Sequence, residues 1–281
     1  MSAAAATARQ GVAELRKLPA FMRRDLLVLL SYRVAFAADL MHIAVQAILF
    51  SFIGKLVDPA RLPAYGGTQA TYLQFTIIGV VLTLVSALLL QRVATAVRQE
   101  QLIGTLEALL ATPTAPTTIQ AGSVALDLLF IPIRMGALLG VVALTFGLDL
   151  SLGGVAPALV VLVAYVPFLW GLGLTSAAAI VTFRRGTGAL AAGMGIVGIV
   201  SGAFFPLSLL PSWLQGVAEA NPVAIALEAI REALIGGAGW GAIGPEALVM
   251  LPASVLSLLV GVTAFRWALA REHRRGTLGL Y

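Results

Sequence analysis

Runs of about twenty residues with almost no charge recur along this chain, and in lipid such a run has one stable form. A helix rising 1.5 Å per residue crosses a hydrocarbon core of roughly 30 Å in that length. With no water to satisfy backbone N–H and C=O groups, the hydrogen bonds must close within the segment, which makes it an α-helix. Six spans read off the sequence, at residues 34–56, 70–92, 117–147, 154–182, 187–207 and 246–269. A chain with 59% apolar and 11% charged residues suits that solvent and no ordinary soluble domain. The expected fold is an all-α integral membrane protein with six transmembrane helices.

The charges between the spans sort by side. Basic residues crowd the N-terminal segment (Arg16, Lys17, Arg23, Arg24, Arg33), the second connection (Arg92, Arg98), the fourth (Arg184, Arg185) and the tail (Arg271, Arg274, Arg275). On the other side Asp58, Asp149, Glu219, Glu228, Glu232 and Glu246 face only Lys55, Arg61 and Arg231. Cytoplasmic loops carry the excess of Lys and Arg, so both termini are expected in the cytoplasm of a multi-pass protein of the cell (inner or plasma) membrane. The net charge of +5 is therefore arranged for a bilayer, and no nucleic-acid partner is expected. No signal peptide is expected at the arginine-rich start. Without cysteine, disulfides and thiolate metal sites are excluded, and the two histidines, His42 and His273, make no histidine-rich metal site. Three regions follow: a cytoplasmic interfacial segment at 1–33, a six-span transmembrane domain at 34–270 and a cytoplasmic tail at 271–281.

Two connecting segments are apolar where loops are usually polar. "ELRKLPAFMRRDLLVLLSYR", residues 14–33, mixes bulky apolar residues with paired cations. It suits a helix lying in the interface, with Pro19 separating it from what precedes, and an ordinary basic flank is the alternative. Between the fifth and sixth spans, Pro206, Pro211 and Pro222 break two short apolar stretches. The second, 223–235, is too short to span, so it re-enters the membrane or lies on the outer leaflet. Asn221-Pro222 marks its helix start, and Glu228, Arg231 and Glu232 fall together to give one charged face. Such a half-helix closes a translocation route on one side, or is a lid with no transport role.

Inside the spans, Asp39, His42 and Gln46 share one helical face, and Asp127 and Arg134 share another, with Pro132 between them. Ionisable groups cost at least about 2.5 kcal/mol each at the bilayer centre, so they face water or pair with one another. The stripes are either a hydrophilic lining or proton relay, or an interhelical lock such as Asp39 or Asp127 with Arg134. "GMGIVG" (193–198) sits inside the fifth span with no strand before it. With Gly202 it reads as a small-residue packing surface, as does "GALLG" (136–140). No P-loop sequence is present.

The stretch "QLIGTLEALLATPTAP" (101–116) reads as an amphipathic helix left outside the membrane. Leu102, Leu106, Leu109 and Leu110 form one apolar face, Glu100 and Glu107 sit off it, Gly104 loosens the first turn, and Thr112-Pro113 stops it. A helix for an anionic leaflet carries Lys or Arg opposite its apolar face, whereas this one carries glutamates. Docking into a groove of a soluble partner fits better.

"GTLEALLATPTAPTTI" resembles the signature of type-2 ABC exporter permeases, and "ANPVAIALEAIREAL" resembles a second stretch of that family. The resemblance covers nearly the whole chain. It implies that Glu100, Gly104, Thr105, Leu106, Glu107, Leu109, Leu110, Thr112 and Pro113 belong to a coupling helix that docks onto an ABC ATPase subunit, two copies per complex. It implies a pore built with a second copy of this permease. ATP and magnesium would sit in the partner, with no cofactor in this chain and no enzyme activity of its own. Asn221, Pro222, Glu228, Arg231 and Glu232 would form the outer re-entrant segment. The expected function is ATP-driven export of an amphipathic drug-like molecule or a lipid. A lipid or polysaccharide-precursor exporter of the same family is the alternative, ahead of a secondary carrier or a membrane-embedded lipid-modifying enzyme.

Overall fold

The computed structural model describes residues 16–31, 62–103, 116–183 and 200–274, with scattered positions in 38–56, at 112, 114 and 198. Helix α1 is Leu18–Ser31, with Pro19 in its first turn, where a missing N–H costs nothing. A two-stranded hairpin follows, β1 (Ala64–Tyr65) and β2 (Thr68–Gln69), paired antiparallel with Tyr65 opposite Thr68. Its turn is Gly66-Gly67, with φ of 55° and 79°, the left-handed pair that a two-residue hairpin needs.

Four long helices carry the membrane-crossing stretches: α2 (Tyr72–Ile103), α3 (Pro116–Phe146), α4 (Val155–Phe183) and a final helix, Trp240–Arg274. Their apolar windows lie at 72–96, 118–146, 152–183 and 240–272, matching four of the six expected spans. The first expected span (34–56) and most of the fifth (187–207) lie outside the described residues. Helix α2 runs well beyond the expected end at residue 92, because no proline or glycine interrupts it before Gly104. Glu100 and Leu102 are thus in the last turns of α2 and do not begin a separate helix.

Helix α2 is the centre of the bundle. Of its apolar window 72% is buried, against 22% for the final helix, which leaves its outward face to lipid or to another chain. Between the long helices come two short ones, α5 (Ser212–Glu219) and α6 (Pro222–Leu234), so that the final helix is α7. Asn221 caps α6: its side-chain oxygen accepts from the Val223 N–H at 3.0 Å, and Pro222 takes the first position, as the sequence predicts.

Hydrophobicity cannot hold helices together in lipid, and here small residues and hydroxyls do so. A Cβ on Gly171 of α4 would strike the backbone of Ser257, and one on Gly261 of α7 would strike Gly171. Beside this crossing, Ser254 donates to the Ala164 carbonyl at 2.7 Å and Ser257 to that of Phe168 at 2.9 Å. The glycine motifs picked from sequence behave differently. Gly198 does pack within the chain, against Thr83 of α2, but Gly202 leaves the helix with a φ of 72°. Gly136 and Gly140 pack against nothing: a Cβ on either would meet open space. The packing role expected of the 136–140 stretch is therefore not realised within one chain.

Candidate functional site

Two polar clusters sit at opposite ends of α2. At the hairpin end, α6 turns inward. Val223, Ala226, Leu227 and Ile230 bury its apolar stripe in the core, and Arg231 follows them in with 1% of its surface exposed. The predicted charged outer face is therefore incomplete: Glu228 stays outward and Glu232 half-buried, but Arg231 points into protein. The chain around it supplies the acceptors. Nε and Nη2 donate to the Phe75 carbonyl at 3.1 and 2.9 Å, and Nη2 also to the carbonyls of Gly202 (3.0 Å) and Ala203 (3.2 Å). The guanidinium lies 3.5 Å over the Phe75 ring, and Nη1 reaches Glu228 at 3.4 Å. One side chain thus ties α6 to the start of α2 and to the segment that leaves the fifth expected span. Burial lowers the guanidinium's pKa, while Tyr65 and Glu228 oppose that shift.

The same two glutamates hold the hairpin. Tyr65 Oη donates to Glu228 Oε1 at 2.8 Å, and Glu232 Oε1 accepts from the Gly66 N–H at 3.1 Å. Burial pushes the Tyr65 phenol well above its ordinary pKa, so it remains the donor. Gly66 and Gly236 approach so closely that a Cβ on Gly66 would stand 2.5 Å from the Gly236 carbonyl oxygen. Gly154 meets the Ala233 backbone more closely still, and the Ser151 N–H donates to the Leu234 carbonyl at 2.7 Å. The hairpin, α6 and the α3–α4 loop form one docked cap.

At the other end, α1 lies against α3, with Phe21 filling the space that a side chain on Gly122 would need. Arg92 of α2 pairs with Asp127 of α3 at 2.9 Å. This is a lock between helices, but its partner is not the expected Arg134. Asp127 and Arg134 are two turns apart on one helix, roughly 10 Å along the axis, whereas antiparallel packing sets Arg92 beside Asp127. Arg134 lines a small cavity shared with the pair and makes no ion pair among the described residues. Asp25 of α1 belongs to the same neighbourhood: burial raises its pKa, Arg24 and Arg92 pull it down, and Asp127 pushes it up. More deeply buried is Gln120, which sequence reading missed. It accepts from the Trp170 indole at 3.1 Å and donates to the Val93 carbonyl at 3.3 Å, linking α2, α3 and α4. A single amide early in an apolar run was the available signal.

Asp39, His42 and Gln46 lie outside the described residues, as do Gly104, Thr105, Leu106, Glu107, Leu109, Leu110 and Pro113. Of the expected coupling segment, Glu100 is placed in α2, and Thr112 is exposed at a bend, its carbonyl accepting from the Thr114 N–H at 2.7 Å.

Long apolar helices joined by small residues, with a short helix docked back across one end of the bundle, define a multi-pass membrane protein. The model of the ABC-2 type transporter family matches residues 17–235. The chain belongs to that family and is an ABC-type transporter permease. No curated protein matches it. Permeases of this family typically work with an ATPase subunit and are themselves transport subunits.

Proposed function

We propose that this chain is the membrane half of an ATP-driven exporter, paired with a second copy of itself and driven by two copies of a separate ABC ATPase subunit. It moves an amphipathic small molecule or lipid from the cytoplasm or inner leaflet outward. The proposed coupling segment is residues 100–113, of which 100–103 close α2, and ATP and magnesium act in the partner. The observation that carries this reading is the course of α2. Its 32 residues make a rod of roughly 48 Å, from Tyr72, one turn before the Phe75 carbonyl held by Arg231, to Ile103, at the threshold of the Gly-Thr-Leu-Glu motif. A push delivered at 100–113 therefore bears on the helix that anchors the cap. ATP binding favours one of two states, and the coupling segment passes that preference to the bundle.

The cap on the hairpin side is the proposed outer gate, with both termini cytoplasmic. The three-part division stands on the same footing: interfacial segment 1–33, transmembrane domain 34–270, tail 271–281. The first span, bearing Asp39, His42 and Gln46, is our candidate for the contact with the second copy, because Gly198 is already occupied within one chain. Leu106→Asp and Leu109→Asp should abolish ATPase-dependent transport while leaving the permease inserted. Normal assembly with the ATPase and normal stimulation of ATP hydrolysis in both variants would sink the coupling reading.

A further inference from the structure

Toward the hairpin end, α3 and α4 splay apart and leave a cavity of about 470 Å³, within the range that holds drug-sized ligands. Met135 and Leu139 of α3 and Leu162 of α4 make its wall, and Ile230 and Leu234 of α6 close one flank. Gly136 and Gly140, one turn apart, leave the α3 wall without side chains at the two points where a Cβ would meet nothing. An apolar slot in a membrane protein would by itself take any acyl chain. One end of this slot is different.

The polar side chains of its lining, Asp149 and Ser151, both belong to the α3–α4 loop at the mouth. Asp149 is exposed and forms no ion pair among the described residues. Its loop is held in place, because the Asp149 carbonyl accepts from Gln74 Nε2 at 2.6 Å and Ser151 is bonded to Leu234. A carboxylate carried on an anchored loop beside an apolar slot selects by charge: it repels anionic headgroups and attracts an ammonium. We propose that this cavity binds a lipophilic amine, its hydrocarbon body between α3 and α4 and its ammonium at Asp149. The inference rests on the permease reading and names a substrate class for it. It also connects substrate to the cap, since Ile230 touches the occupant and its neighbour Arg231 holds α2.

The test uses tritiated dodecyltrimethylammonium and the full chain in phosphatidylcholine nanodiscs, without ATP or ATPase. Saturable binding above empty discs is expected, competed by the unlabelled cation but not by dodecyl sulfate or dodecyl maltoside. Asp149→Asn should weaken it about fivefold, the upper range for a partly exposed ion pair. Gly136→Leu with Gly140→Leu should weaken it at least about tenfold by filling the slot, at positions where the fold has room. Equal competition by all three dodecyl amphiphiles, or unchanged binding in D149N, overturns the proposal. D149N alters an exposed loop carboxylate and leaves its carbonyl bond to Gln74, so the result stands even if the double glycine variant fails to insert. Loss of ATPase docking in the Leu106 variants would leave this binding intact, so the two readings fail separately.

Discussion

Arg231 and Arg92 are two arginines at the two ends of one helix, each beside a carboxylate, and they do different physical work. Arg231 is buried and its guanidinium is shared among three backbone carbonyls, an aromatic face and Glu228. Arg92 is 46% exposed and, among the described residues, its ion pair is with an Asp127 that is itself partly open. In the first case the charge has left water and its acceptors have closed around it, so removal strands them. In the second, both groups keep solvent and lose little when parted. An ion pair drawn from sequence is therefore worth what its burial makes it worth.

The sharpest way to break this contrast is Arg231→Ala. It leaves the Gly202 and Ala203 carbonyls unpaired inside the protein and removes the second partner of the Phe75 carbonyl, and should cost about 3–5 kcal/mol, read as a lowered melting temperature in nanodiscs. Arg231→Lys should recover little of that, because one ammonium cannot reproduce the planar fork. A lysine variant as stable as wild type would mean that the charge, and not the geometry, holds the cap.

The hairpin is next in size. Gly66→Ala forces a side chain into left-handed backbone and against Gly236, and should cost about 2 kcal/mol. Tyr65→Phe, which removes the donor to half-exposed Glu228, should cost about 1 kcal/mol. Hydrogen exchange of the α6 amides would report both, with faster exchange confined to the cap. Spread of that effect to α1 would contradict the separation of the two ends.

At the far end the effects shrink. A double-mutant cycle of Arg92→Ala and Asp127→Asn should give a coupling of at most about 1 kcal/mol, and Arg134→Ala should change stability by no more than about 0.5 kcal/mol. A large Arg134 effect rescued by Asp127→Asn would restore the lock expected from the spacing. The smallest signal is pH dependence at Asp25. Its folded pKa is raised, so the folded state holds the proton more tightly than the unfolded chain does. The wild type should thus lose stability relative to D25N as pH climbs from the ordinary carboxylate value through the raised one, and hold steady above it. Melting curves of both proteins across that window would show it, and parallel curves would remove Asp25 from the cluster.

Much of the fold was legible because its signals are local. Span length needs only consecutive apolar residues, and four expected spans appear as helices within a few residues of their predicted limits, apart from the extension of α2 to Ile103 and of α7 at both ends. The α6 start was equally local, since Asn221 caps and Pro222 follows within one turn. The family signature, too, is read from adjacent residues, and the match over 17–235 agrees with it. Contacts between helices were not legible. Asp127 pairs with a residue of another helix, 35 positions away, while helical spacing offered Arg134 on its own. Arg231 looked like one charge on an amphipathic face, and only the arrival of Phe75, Gly202 and Ala203 made burial tolerable.

The sequence by itself determined that the chain lives in a bilayer, where four of its long helices run and which family it joins. Each of these follows from composition or spacing within a short window, and summed local terms do not depend on the neighbours that folding brings. The tertiary structure alone decided which glycines face a backbone and which face open space, which acid meets which arginine, and where the cap is held. Those outcomes depend on distances between residues far apart in the chain, and a small change in helix rotation exchanges one partner for another.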